Sequence, residues 1–102
     1  MATPAAQANL EGTLADAHHI LSLIAFDHHE YSNAMKEINE SLKIVTENNL
    51  DRPNIYVARA RTEIELKDLA AAHKDVDKAL ATQSTNPQAL KLNDFLHHLE
   101  AP

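Results

Sequence analysis

Ala34-Met35-Lys36-Glu37-Ile38-Asn39-Glu40-Ser41-Leu42 can be laid over Ala72-His73-Lys74-Asp75-Val76-Asp77-Lys78-Ala79-Leu80, 38 residues further along the chain. Ala, Lys and Leu coincide, and the Glu/Asp, Ile/Val, Asn/Asp and Ser/Ala pairs keep size or charge. Apolar and small residues recur in both stretches at three- and four-residue spacing, the period of a helix with one buried face. A helical unit repeated at this distance predicts a core built by stacking copies of that unit. Such an architecture offers a binding surface rather than a reaction centre.

Outward from the duplicated helices, the turn residues set the other boundaries. Asn48-Asn49-Leu50-Asp51-Arg52-Pro53 combines turn formers with a proline suited to the first turn of a new helix. Gln83-Ser84-Thr85-Asn86-Pro87 does the same. Asp27-His28-His29-Glu30 has no hydrophobe and reads as a tight reversal. Lys67-Asp68 marks another, with Asp68 placed to cap the next helix. The resulting expectation is five helices: about Pro4 to Asp27, Tyr31 to Glu47, Asn54 to Leu66, Leu69 to Thr82 and Gln88 to Leu99. In the first, Leu10, Leu14, Ala17, Leu21, Ile24 and Ala25 form the periodic set, and Gly12 is a place where it can split, since glycine costs roughly 1 kcal/mol in a helix interior. Short loops force sequential helices antiparallel, giving two helix hairpins and one closing helix.

Composition agrees with an all-α chain. There are 102 residues, one glycine, four prolines and only four aromatics, so the core is filled by Ala, Leu, Ile and Val. Sheets rich in hairpins need many more turn residues. The formal charge is −6 and the nine basic residues never cluster, which argues against nucleic acid and anionic membrane surfaces as partners. No apolar run approaches the ~20 residues of a membrane span. Cysteine is absent, removing disulfides, thiol nucleophiles and Cys-based zinc sites. The opening Met1-Ala2-Thr3-Pro4 lacks the charged and apolar regions of a secretory signal and is like the polar start of an exported chain after signal removal. The compartment stays open between cytoplasm and periplasm.

The residues resemble the tetratricopeptide repeat, whose 34-residue helix–turn–helix unit follows W-x2-L-G-x2-Y, A-x3-F, P. In the second unit Tyr56 stands at the aromatic place and Ala60 at the small one, with Ala72-x3-Val76 and then Ala79-Leu80 in phase. In the first, Leu21-Ser22 fit the Leu-small pair and Ala34-x3-Ile38 the second-helix pair; Tyr31 and Leu69 precede the two alanines. Pro53 and Pro87 are 34 apart, so the last helix starts where a third repeat would, as a polar capping helix with Asp94 at the small position. Arg59, Glu63 and His18 depart from the pattern where Leu, Tyr and an aromatic are expected, and Thr46 and Ser84 replace the closing proline. The resemblance implies stacked antiparallel hairpins in a right-handed α-solenoid fragment. It would form one domain over 1–102, with an N-terminal extension at 1–14, units at 15–52 and 53–86, and a capping helix at 87–99.

Chemistry finds little support in the motifs. Seven histidines include the doublets His18-His19, His28-His29 and His97-His98, but none has the i, i+4 spacing of a helical metal pair. The nearest mixed pairs are Asp16 with His19 and Asp94 with His98. His18 and His29 share a face yet stand ~16 Å apart by helical rise, so the doublets read as solvated. No His is followed by the Lys and Gly of a phosphotransfer bundle, and no Glu-x-x-His recurs on two helices as a di-iron site needs. The acidic residues follow solvent-face spacing, which leaves no shielded pair for acid–base catalysis. A non-catalytic chain without cofactor or metal is expected.

What the resemblance implies instead is a concave groove lined by the first helix of each unit, receiving a peptide or helix segment of a protein partner. Carried over position by position, it holds His19, Leu23, Phe26 and Asp27, together with Asp16, in the first unit. From the second come Asn54, Val57, Arg61, Ile64 and Glu65. The lysine–asparagine clamp for a terminal carboxylate is missing. Phe26, Val57 and Ile64 as floor and Arg61 at the side suit a short amphipathic or acidic-tipped segment. The alternative is a self-assembling helical bundle without a groove: Ala5, Ala6, Ala8, Leu10 and Leu14 have no partner in the repeat scheme, so a homodimer through residues 1–14 is expected.

Overall fold

A computed structural model describes residues 4–100, with side-chain burial described from Asn9 onward. Residues 1–3, and the side chains of Ala5, Ala6 and Ala8 in the expected extension, lie outside the described set. The fold is all-α, with five helices in chain order: α1 Pro4–Asp27, α2 Tyr31–Glu47, α3 Pro53–Glu65, α4 Leu69–Thr82 and α5 Pro87–Glu100. No strand occurs among the described residues. Helices α3 and α5 each begin on the proline itself, one residue earlier than the expectation, because its fixed φ and missing N–H suit the first helical position. Gly12 does not split α1; it is buried within an unbroken 24-residue helix. The chain divides between Asp51 and Arg52 into two compact units.

In the first unit α1 packs on α2. Ala34, Ile38, Ser41, Leu42 and Val45 form the buried stripe of α2. The side of α1 buried in return is small: Gly12, Ala15, Ser22 and Ala25. Ser41 Oγ donates to the Ala15 carbonyl at 2.6 Å, and both residues are fully buried. Small side chains let the two backbones approach until such a bond can form. The expected periodic set of α1 is thereby corrected. Leu10, Leu14, Leu21 and Ile24 are about half exposed or more, because they lie on a different side of the helix from its buried small residues.

In the second unit α3, α4 and α5 share one core. Ala60, Ala72, Val76 and Leu96 are fully buried together, flanked by Ile64, Leu69, Leu80 and Leu92. A second cluster, Val57, Ala79 and Ala89, is edged by Tyr56. Asn86 ties the ends. Its Oδ1 accepts from the Ala89 N–H at 3.0 Å, capping α5, while its Nδ2 donates to Asn54 Oδ1 at 2.8 Å and to Gln83 Oε1 at 3.0 Å. Asp68 caps α4 through the Ala71 N–H at 3.2 Å.

Three helices end without glycine. His29, Asn49 and Lys67 take φ of 60°, 52° and 67°. In each case the next residue's N–H reaches back five positions: Glu30 to Ala25, Leu50 to Val45 and Asp68 to Glu63, at 2.8–2.9 Å. These are Schellman closures, which satisfy the last carbonyls of a helix and turn the chain sharply. They let the chain leave three helices sharply without a glycine at the positive-φ position.

Candidate functional site

The expected site residues fall on α1 in the first unit and on α3 in the second. On α1, His19 is partly buried and Leu23 and Asp27 are exposed. Desolvation lowers the His19 pKa, with the Asp16 charge opposing it. Phe26 packs edge-on against Tyr31, ring centroids 5.3 Å apart. These four side chains share a face of α1 by their spacing. On α3, Arg61 and Glu65 are exposed, Ile64 is drawn into the Leu96 cluster, and Asn54 is engaged by Asn86.

Val57 and Arg61, however, do come together. With Gln88, Lys91 and Leu92 of α5 they line an open cleft of about 190 Å³. Val57 is buried, Leu92 is partly buried, and Arg61 and Lys91 are exposed. One turn beyond Lys91 and then another, Phe95 and Leu99 extend an exposed apolar strip along the same side of α5, each about half exposed. The α5 residues were missed because that helix was expected to be a polar cap. The signal was legible in Gln88, Lys91, Leu92, Phe95 and Leu99, a stripe at three- and four-residue spacing. The exposed Leu90, Phe95 and Leu99 correct the polar-cap expectation.

Charge is divided unevenly along the chain. Up to Asp51 there are two Lys or Arg against eight Asp or Glu; from Arg52 onward there are seven of each. The whole formal −6 therefore belongs to the first unit. The cleft sits in the part of the chain that is neutral overall.

Two further groups are organised by the same elements. Arg59 grips Asp75 with two parallel bonds, Nε to Oδ2 and Nη2 to Oδ1, both 2.8 Å. Its guanidinium also lies 5.8 Å from the Tyr56 ring centroid, and Lys78 Nζ approaches the same ring at 5.5 Å. Glu63, only 7 % exposed, is pushed up to about 8, first by burial and then by its hydrogen bond to Asp75 and the Asp75 charge; Arg59 opposes this. A neutral Glu63 thus donates to a carboxylate already held by Arg59. The expectation that every acidic residue follows solvent-face spacing is corrected at Glu63 and Asp75, both buried.

The histidines are more engaged than their doublets suggest. His18 Nδ1 stands 2.7 Å from Glu37 Oε2, joining α1 to α2, and His73 Nε2 stands 2.6 Å from Glu100 Oε1. Each is a cross-helix polar contact rather than a ligand set. Among the described residues no group of three His, Cys, Asp or Glu is placed to hold a metal ion, and no helix is long and apolar enough to cross a membrane. Compared with known proteins, the chain matches no family model, no curated protein and no solved structure.

Proposed function

We propose that the chain is a non-catalytic, tetratricopeptide-like interaction module. In this reading it binds a short protein segment with an acidic tip at the cleft between α3 and α5. The observation carrying this reading is that Arg61 and Lys91, both exposed, line one cleft with the apolar Val57 and Leu92. A carboxylate of the segment meets the cations, and apolar side chains one and two turns further on cover Leu92, Phe95 and Leu99. Recognition of this kind uses regularly spaced anchors on an amphipathic helix, with charge fixing its register. The chain beyond Asp51 is neutral overall, so this unit's own net charge does not oppose an acidic segment. Small residues at the helix crossings, Ala60, Ala72 and Ala79, support the likeness to the repeat family, as does the recurrence of a helix hairpin in each unit.

Fluorescence anisotropy tests the reading. The probe is a labelled 12-residue peptide with two adjacent glutamates followed by leucines at three- and four-residue spacing. Binding in the range of ~100 μM is expected, about fivefold weaker for a glutamine twin, as roughly 1 kcal/mol of exposed ion pairing implies. Arg61→Ala with Lys91→Ala removes the difference between the two peptides. Equal affinity of the unaltered protein for both contradicts the assignment.

A further inference from the structure

The outward side of α1 carries Leu10, Leu14, Ala17, Leu21 and Ile24, all exposed. Their spacing of four, three, four and three is that of a two-stranded coiled-coil seam, and no charged residue interrupts it. The helix's contact with α2 is made mainly by its small residues, and Leu21 and Ile24 stand at the edge of a cleft lined also by Asn33, Lys36 and Glu37 of α2. We infer that the stripe docks on the same stripe of a second copy, the two α1 helices running antiparallel about a two-fold axis at Ala17.

Three observations select that occupant. The size profile is its own mirror image: two large residues, a small one, two large. Turning one helix end for end about Ala17 sets Leu10 of one copy level with Ile24 of the other, and Leu14 level with Ile20 and one residue from Leu21, with alanine at the axis where the backbones come closest. The rim suits a like helix. Flanking positions are Thr13, Ile20, His18 and Ala25, with acidic Glu11 and Asp27 only towards the two ends. Carboxylates flank the stripe unevenly: Glu30 and Glu37 line the cleft beside Leu21 and Ile24, whereas Thr13 and Ile20 hold the opposite flank, so a basic helix would find matching charge on one side only. The area fits a reversible pair: five half-exposed leucine and isoleucine side chains, Ile20 included, show roughly 300–400 Å² of apolar surface. A stable interface takes about 800 Å² per partner. The −6 charge of each first unit opposes association from a distance, so salt strengthens it. This surface differs from the 1–14 extension of the sequence expectation, since it centres on Ala17.

Sedimentation equilibrium of the full chain reads the association directly. The average mass rises from 11.3 kDa towards twice that at several hundred micromolar, and the dissociation constant falls severalfold between about 20 and 500 mM NaCl. Leu14→Glu with Leu21→Glu holds the chain monomeric with its helical circular dichroism unchanged. Leu23→Glu, off the stripe, leaves association intact. Because the chain has no cysteine, single substitutions report geometry: Ala17→Cys gives a disulfide-linked dimer on mild oxidation, while Leu10→Cys links only when mixed with Ile24→Cys. A wild-type chain that stays monomeric at 1 mM in 500 mM NaCl overturns the inference. So does self-linking of Leu10→Cys alone.

Discussion

Replacing Glu63 by glutamine isolates the most perturbed group in the molecule. The residue is 7 % exposed, one carboxyl oxygen has no hydrogen-bond partner, and its pKa rises from an ordinary 4.5 to about 8. The folded state therefore holds a proton that the unfolded state has already released. Stability from this source is complete below pH 4.5 and is lost as pH rises to about 8, where the folded group also ionises. Each pH unit in that window is worth about 1.4 kcal/mol, so roughly 2 kcal/mol disappears between pH 6.5 and 8. For a domain of this size that is on the order of 10 °C in Tm. His19, lowered by desolvation, acts with the opposite sign and only below its ordinary 6.5, which leaves the alkaline limb to Glu63. Glutamine keeps the shape and the neutral donor to Asp75. Thermal unfolding followed by circular dichroism should show Glu63→Gln flat from pH 6.5 to 8 and more stable than wild type at pH 8. A wild-type Tm that does not fall over this range, or a variant destabilised equally at both ends, would refute the buried neutral carboxyl.

Other substitutions test separate parts of the structure. Lys67→Gly, at a non-glycine residue with φ of 67°, should raise stability in urea by about 0.5–1 kcal/mol by relieving left-handed strain, and Asn49→Gly by less, because asparagine tolerates that conformation. Asn86→Ala removes the cap of α5 and its tie to Asn54, costing about 1–2 kcal/mol by the same measurement. Arg59→Met leaves the Asp75 carboxylate buried without its fork and should cost about 3–5 kcal/mol, whereas Arg59→Met with Asp75→Leu recovers only part of it, because buried Glu63 loses its acceptor. A single substitution as mild as the double one would show that the fork contributes little.

The five helices were legible because turn residues and apolar period agreed at every boundary, and Asp68 could be assigned as a cap from its position alone. The glycine-free closures at His29 and Lys67 were not, since nothing in a histidine or a lysine announces positive φ. The α1 stripe was read as a periodic apolar set, but its spacing does not tell which side of the helix meets α2. Small residues such as Ala15 and Ser22 carry weak hydrophobic signal although they make the close packing. Arg59 and Glu63 looked like departures from a repeat pattern; only their shared partner Asp75, on the next helix, gives them a reason. Half of the cleft was foreseen through Val57 and Arg61. The other half, Gln88, Lys91 and Leu92, required knowing that α5 lies against α3.

Chemical-shift mapping on the isotopically labelled full chain tests the binding assignment most directly. Titration with the acidic-tipped peptide should move the resonances of Val57, Arg61, Gln88, Lys91 and Leu92, with Phe95 and Leu99 following, and leave the outward stripe of α1 still. Shifts that avoid α5, or a spectrum unchanged at millimolar peptide, would contradict the cleft as the site of recognition.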